Sequence, residues 1–271
     1  MRVVITRPAG DAPAWVHALE AAGHQVLALP LIDIAAPVAT HAVQRAWEAW
    51  PQWQAVMFVS AQAVRYFFDA QPASLRAQTD GATWAQGPRC WATGPGTHKA
   101  LRQAGVPEAC IDSPGAEATQ FDSEALWQRV GPGVQAGRPV LIVRGLDVGQ
   151  GTAQAAGAEG GTGRDWLAQQ LVAVGASAEF VVAYERRLPT WTVEQHEAAT
   201  QAVADGSVWC FSSSQAIHHL QQLLPAQDWS AARCIATHAR IAQTAKALGF
   251  GEVHSARPLV ADVLASLESL A

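Results

Sequence analysis

Few residues in this sequence are of a type and placement that could do chemistry. Cys90, Cys110, Cys210 and Cys234 lie 20, 100 and 24 residues apart, which is neither a C-x-x-C redox pair nor a zinc ligand set. They are expected as reduced, buried thiols. His218 and His219 are neighbours, about 100° apart on a helix, so they lack the i, i+4 geometry of a chelating pair and no metal is expected. The nearest approach to a phosphate loop is G-P-G at Gly94 to Gly96, which lacks the spacing of either nucleotide fingerprint.

What remains is a set of small residues, Ser60, Gly94, Thr97, Ser113, Ser213 and Ser214, that follow apolar runs and stand at or near the start of the next helical pattern. The free N–H groups at a helix start favour an anion by roughly 0.3–1 kcal/mol each, whereas the same residues also serve as simple caps. Arg7 and Arg144 end β-branched runs, where a guanidinium can pair with a ligand carboxylate, form a structural ion pair or sit solvated at a rim. Of two tyrosines, Tyr184 closes the run F-V-V-A-Y, and its phenol could act as an acid or be a packed strand-end aromatic. Tyr66, mid-helix beside Phe67 and Phe68, is expected in the core. Trp47, Trp50 and Trp53 form a stripe expected to cover a sheet face.

The elements that must position these residues occur twice. R-V-V-I-T-R from Arg2 with the helix through Leu19 is echoed by V-L-I-V-R-G from Val140 and the helix from Arg164. Gly23 and Gly175 supply the left-handed helix stops. A-V-M-F-V-S-A-Q-A-V from Ala55 returns as S-V-W-C-F-S-S-S-Q-A-I from Ser207. R-C-W-A-T from Arg89 returns as R-C-I-A-T from Arg233, at an offset of 144 that also relates Gly105 to Gly249. The stretch from Cys110 through Ser113 and Leu126 is matched from Glu252 through Ser255 and Leu264.

Each copy reads β-α-β, β-α, β-α, β-α, and that alternation predicts a parallel sheet covered on both faces, hence two doubly wound domains. The ligand-binding loops of such sheets lie beyond the strand carboxyl ends, at the topological switch point. Arg7 and Arg144 are offset by 137 but Gly23 and Gly175 by 152, so the second copy carries 15 extra residues, the Gly- and Ala-rich stretch 149–163, which reads as a flexible insert. From the repeat alone, the Gly/Pro-marked stretch Gly133 to Gly137 is the natural cut between domains.

With 271 residues, 49% apolar and only 15% charged, the chain has the composition of a globular protein of about two domains. A net charge of −5 without basic runs argues against nucleic acid as partner. The N-terminal apolar run, Val3 to Ile5, is far below the length of a signal peptide or a membrane span, which places the protein in the cytoplasm and off the membrane as an expectation.

The ordered set T-R-P, F-V-S-A-Q-A-V, A-T-G-P-G-T, D-S-P-G-A-E, V-R-G with G-R-D-W-L, V-A-Y-E-R-R and F-S-S-S-Q-A-I resembles the uroporphyrinogen-III synthase family along the whole chain. The resemblance implies a cofactor-free cyclising hydro-lyase. It closes hydroxymethylbilane, with loss of water and inversion of ring D, to uroporphyrinogen III for haem, sirohaem and cobalamin formation. It also implies two flavodoxin-like α/β domains joined by a two-segment linker, with the active-site cleft between them. Domain one would be residues 1–35 plus 187–271 and domain two 37–183, with links near Ala35 to Pro37 and Tyr184 to Leu188.

Tyr184 matches a family tyrosine and would help the terminal hydroxyl leave. The azafulvene formed would attack ring D to give a spiro intermediate that fragments and recloses. Arg7, Ser60, Gly94, Thr97, Ser113, Arg144, Ser213 and Ser214 would bind the eight substrate carboxylates. His238, Arg240 and Ile241 stand where the first copy has its Gly-Pro-Gly-Thr turn and inherit no role. A monomer is expected, functionally coupled to hydroxymethylbilane synthase. The rival readings are a noncatalytic two-lobed binding or regulatory protein for an anionic metabolite, and a nucleotide-dependent enzyme.

Overall fold

Consecutive strands that pair within one sheet are joined by a segment long enough to carry the chain back across it, which is what parallel pairing requires. The computed structural model describes residues 1–76, 84, 86–114, 122–148 and 162–270. The chain forms two compact units, Met1–Ile34 with Arg187–Ala271 and Ala35–Arg186.

The first unit is built on β1 (Arg2–Ile5), β2 (Gln25–Ala28), β9 (Val208–Phe211), β10 (Arg233–Ala236) and β11 (Glu252–Ser255), in the order β2-β1-β9-β10-β11. All neighbours are parallel, with Val3 opposite both Val26 and Val208. Counted within the unit, the order is 2-1-3-4-5, the flavodoxin-like winding. Alternation sorts the side chains by face. Val3, Ile5, Cys210 and Ile235 pack with Leu19 of α1 (Pro13–Ala21) and Leu267 of α11 (Val260–Glu268). On the other face, Val4, Trp209, Phe211 and Cys234 pack with α8 (Val193–Ala204), α9 (Ser214–Leu223) and α10 (Ala239–Leu248). Both faces are therefore covered, and the central strand β9 is apolar and buried throughout.

The second unit repeats the winding with its chain permuted. Its sheet runs β3 (Asp33–Ala35), β8 (Ser177–Arg187), β7 (Pro139–Asp147), β4 (Ala55–Phe58), β5 (Arg89–Ala92) and β6 (Ile111–Asp112). Starting the count at β7 again gives 2-1-3-4-5, with β3 added beside β8. The strands from β8 to β6 pair in parallel. The first strand-helix-strand of the sequence therefore shares a sheet with the last three strands of the chain.

One face of this second sheet, Met57, Trp91, Val140 and Ile142, packs on Leu126 of α6 (Ser123–Val130) and on Leu167 and Leu171 of α7 (Thr162–Ala173). Trp47 of α2 (His41–Glu48) and Trp50 stack at 4.6 Å, and Trp47 stacks on Phe67 of α3 (Ala61–Asp69), which the short α4 (Ala73–Arg76) follows, at 4.7 Å. Two indoles of the stripe are bonded: Trp47 donates to the Phe67 carbonyl at 2.9 Å and Trp53 to that of Ala46 at 3.0 Å.

Gly23 and Gly175 follow α1 and α7 with φ of 84° and 80°, the left-handed stops expected. The stretch Gly133 to Gly137 is an internal turn, not a domain boundary. Ala55 of β4 pairs with Val140 of β7 across it, and the Gly137 N–H donates to the Gly175 carbonyl at 2.8 Å. Of the insert 149–163, residues 149–161 lie outside the described residues, and Thr162 and Gly163 open α7.

The cysteines are all free, but only Cys90, Cys210 and Cys234 are buried; Cys110 is half-buried. Burial raises the Cys90 thiol and pushes Cys210 and Cys234 up to about 12, so folding favours their neutral form. That contribution is intact at neutral pH and is lost as pH climbs from the ordinary thiol range towards 12. With DTNB at neutral pH, Cys110 is expected to react alone in the folded protein and all four thiols after unfolding.

Candidate functional site

Parallel winding brings the carboxyl ends of β4, β5, β6 and β7 to one edge of the second sheet, with the switch point between β7 and β4. Ser60 follows β4 and caps α3, its Oγ accepting from the Ala63 N–H at 3.1 Å. The same Oγ lies 3.2 Å from the Tyr184 hydroxyl on β8, so the structure joins these two predicted residues directly.

Tyr184 is not at a strand end, because β8 continues to Arg187. Its placement comes from an irregularity in the β7–β8 pair. Arg144 lies opposite Val182 but Gly145 lies opposite Tyr184, leaving Ala183 as an extra residue. Bulges are rare in parallel pairs, and this one shifts Tyr184 over a glycine. A Cβ at residue 145 would lie 2.3 Å from Tyr184 Cζ, so only a missing side chain lets the ring occupy this position. Around the ring, Tyr66 of α3 stacks at 6.0 Å and the Arg186 guanidinium lies 5.8 Å from the ring centre. Arg186 is itself ion-paired with Asp147 of β7. The Tyr184 side chain is 3% exposed, which confines its chemistry to the hydroxyl bonded to Ser60.

The other predicted residues of this unit divide. Gly94 caps α5 (Pro95–Gln103), with extended backbone and Pro95 in the first turn. Thr97 lies in that turn but is 6% exposed, packed inward rather than presented. Ser113 follows β6, its Oγ 3.1 Å from His98 Nδ1, while His98 Nε2 reaches Glu108 at 3.0 Å and Arg102 reaches the same carboxylate at 3.3 Å. Arg144 lies inside β7 rather than at its end. Its guanidinium sits 4.8 Å from the Phe180 ring centre, without an acidic partner among the described residues.

In the first unit, Arg7 lies just beyond β1, stacked over Trp15 at 4.0 Å. Burial holds its pKa below the ordinary guanidinium value, with Asp11 acting in the opposite sense, and the group stays charged. Thr6 bridges the switch point by donating to the Cys210 carbonyl at 2.7 Å. Ser213 caps α9 by accepting from the Gln215 N–H at 3.2 Å. Ser214 is the first helical residue, and its hydroxyl lies 3.2 Å from that of Thr244. In the altered loop, His238 has taken the cap position of α10, its Nδ1 accepting from the Arg240 N–H at 3.2 Å.

Tyr66, Gly145, Asp147, Arg186 and His98 are the residues that sequence reasoning missed. Tyr66 is half-buried beside Tyr184, not a core residue. One signal was present: a glycine inside a β-branched run marks a bulge or a close approach, and Gly145 is both. Among the described residues no group of three His, Cys, Asp or Glu is placed to hold a metal ion.

A Cβ at residue 145 must push the Tyr184 ring aside, so Gly145→Ala is expected to destabilise the protein by about 1–3 kcal/mol. Denaturant unfolding checks the loss, and an unchanged midpoint would mean that the ring moves freely.

A family model described as uroporphyrinogen-III synthase HemD matches residues 13–265. Among solved structures, uroporphyrinogen-III synthetase from Helicobacter pylori is similar at 16% identity and a TM-score of 0.60, with all of both chains covered. A mutant uroporphyrinogen III synthase from the extremely thermophilic bacterium Thermus thermophilus is similar at 15% identity and a TM-score of 0.53, covering 100% of this chain and 98% of that one. No curated protein sequence matches.

Proposed function

The chain belongs to the uroporphyrinogen-III synthase family and is a cyclising lyase of tetrapyrrole biosynthesis; on that premise we propose that Tyr184, oriented by Ser60, assists departure of the substrate's terminal hydroxyl. The observation that carries this reading is the 3.2 Å contact between the two hydroxyls. Ser60 Oγ already accepts from the Ala63 N–H, so its own proton is available to donate to the Tyr184 oxygen. That leaves the phenolic proton for the leaving hydroxyl, and the Ser60 bond steadies the oxygen as negative charge develops on it.

Substrate carboxylates are assigned to the strand-to-helix loops of each unit. The net charge of −5 opposes binding a polyanion, so attraction must be local. The start of α3 at Ser60, of α5 at Gly94 and of α9 at Ser213 each present free N–H groups, worth roughly 0.3–1 kcal/mol apiece at an exposed site. Arg7 and Arg144 add guanidinium groups that stack on the Trp15 and Phe180 rings, Arg7 with the Asp11 carboxylate acting on it as well. No side chain in this set performs the ring inversion. Holding the two ends of the chain of pyrroles together is the larger part of the catalysis.

With hydroxymethylbilane as substrate, the oxidised porphyrins are expected to be the type III isomer, whereas spontaneous closure gives type I. A product mixture holding only type I would refute the assignment. Tyr184→Phe is expected to lower kcat on the order of a hundredfold with the circular dichroism spectrum unchanged, and Ser60→Ala to lower it by less. Unchanged turnover in Tyr184→Phe would leave the ring a packing role alone.

A further inference from the structure

The edge of the second sheet opposite Ser60 and Tyr184 carries a cavity of about 400 Å³ at the amino ends of β4, β5 and β7. Its charged lining is three guanidinium groups, Arg89, Arg129 and Arg138, against the single carboxylate of Asp112. Arg89 is committed, donating from Nε and Nη2 to Asp112 at 2.8 and 2.6 Å and from Nη1 to the Ala109 carbonyl at 2.6 Å. Asp112 is thereby neutralised in place. Arg129, in the last turn of α6, and Arg138, just before β7, are exposed and have no acidic partner among the described residues.

The backbone that carries Arg138 is pinned. The Gln54 side chain donates to the carbonyls of Gln135 and Arg138 at 3.2 and 2.6 Å and accepts from the Gln135 N–H at 2.9 Å. The wall behind is Trp91 of β5, 4% exposed, whose indole N–H has no acceptor among the described residues. Of the polar side chains left uncommitted in this lining, Arg129, Arg138 and the Trp91 indole offer donors alone and the Gln135 amide offers both kinds, so donors prevail and two of them are cationic.

We propose that this cavity binds a small organic molecule through a multivalent oxyanion, a phosphate or a pair of carboxylates. A guanidinium fork matches either group with two parallel N–H bonds. The volume exceeds that of a bare ion and falls within the range of small-ligand sites, so the oxyanion is the head of a larger ligand. The residues involved are none of those assigned to the tetrapyrrole.

Isothermal titration calorimetry with inorganic phosphate and with succinate, at ionic strength matched with chloride, tests the site. At least one probe is expected to bind saturably, and the tighter of the two identifies the head group. The Arg129→Gln/Arg138→Gln double variant, at exposed positions, is expected to bind about tenfold or more weakly. No saturable heat above the chloride control with either probe would overturn the proposal, as would binding that the double variant leaves intact. If Arg129 serves only to offset the carbonyl end of α6, the variant loses stability equally with and without phosphate, which also overturns it.

Discussion

Parallel strands have no short way back, so two that follow one another in a sheet need a helix between them, and all strand carboxyl ends of a sheet then fall on one edge. That constraint generates almost everything that matters in this molecule. It makes the strands apolar on both faces, as in β4 and β9, where every residue is buried. It places the small residues that open helices, Ser60, Gly94 and Ser213, at strand carboxyl ends without any of them being adjacent in sequence. A protein of net negative charge can therefore present several N–H groups and dipole ends to an anion while keeping few basic side chains there.

Within this frame one feature departs from regular pairing. An ideal β7–β8 register would set Gly145 opposite Ala183. The extra residue moves Tyr184 into that place, and the absent Cβ of Gly145 makes room for the ring. The phenol is then fixed on several sides, by Gly145 beneath, Tyr66 and Arg186 beside it, and Ser60 at its oxygen. A group so enclosed has little rotamer freedom left to lose.

The sequence made legible what is local or repeated. Strand runs, helix stops at Gly23 and Gly175 and the Ser60 and Ser213 caps follow from neighbouring residues, and the doubling of the blocks implied two parallel sheets. What escaped depends on residues far apart in the chain. The turn residues at Gly133 to Gly137 look like a boundary until β4 is seen to pair with β7 across them. Tyr66 looks like core beside Phe67 until its contact with a residue 118 positions later is known. Arg186 and Asp147 could not be paired by inspection, because their meeting is set by the register of two long strands. Thr97 carries the right chemistry but faces inward, a matter of helix rotation.

The order β2-β1-β9-β10-β11 also imposes a timetable on the newborn chain. β1 is made before the second unit, yet the strand on its inner edge, where Val3 meets Val208, is made only after that unit is complete. At 5–20 residues per second, the intervening chain takes roughly 10–40 s to emerge. During that interval the second unit, continuous in sequence, can finish folding. β1 meanwhile holds an open, apolar edge beside β2. The unit built from two separate segments is thus the later to assemble, and its half-built sheet is the stage of biogenesis most exposed to aggregation and to chaperone capture.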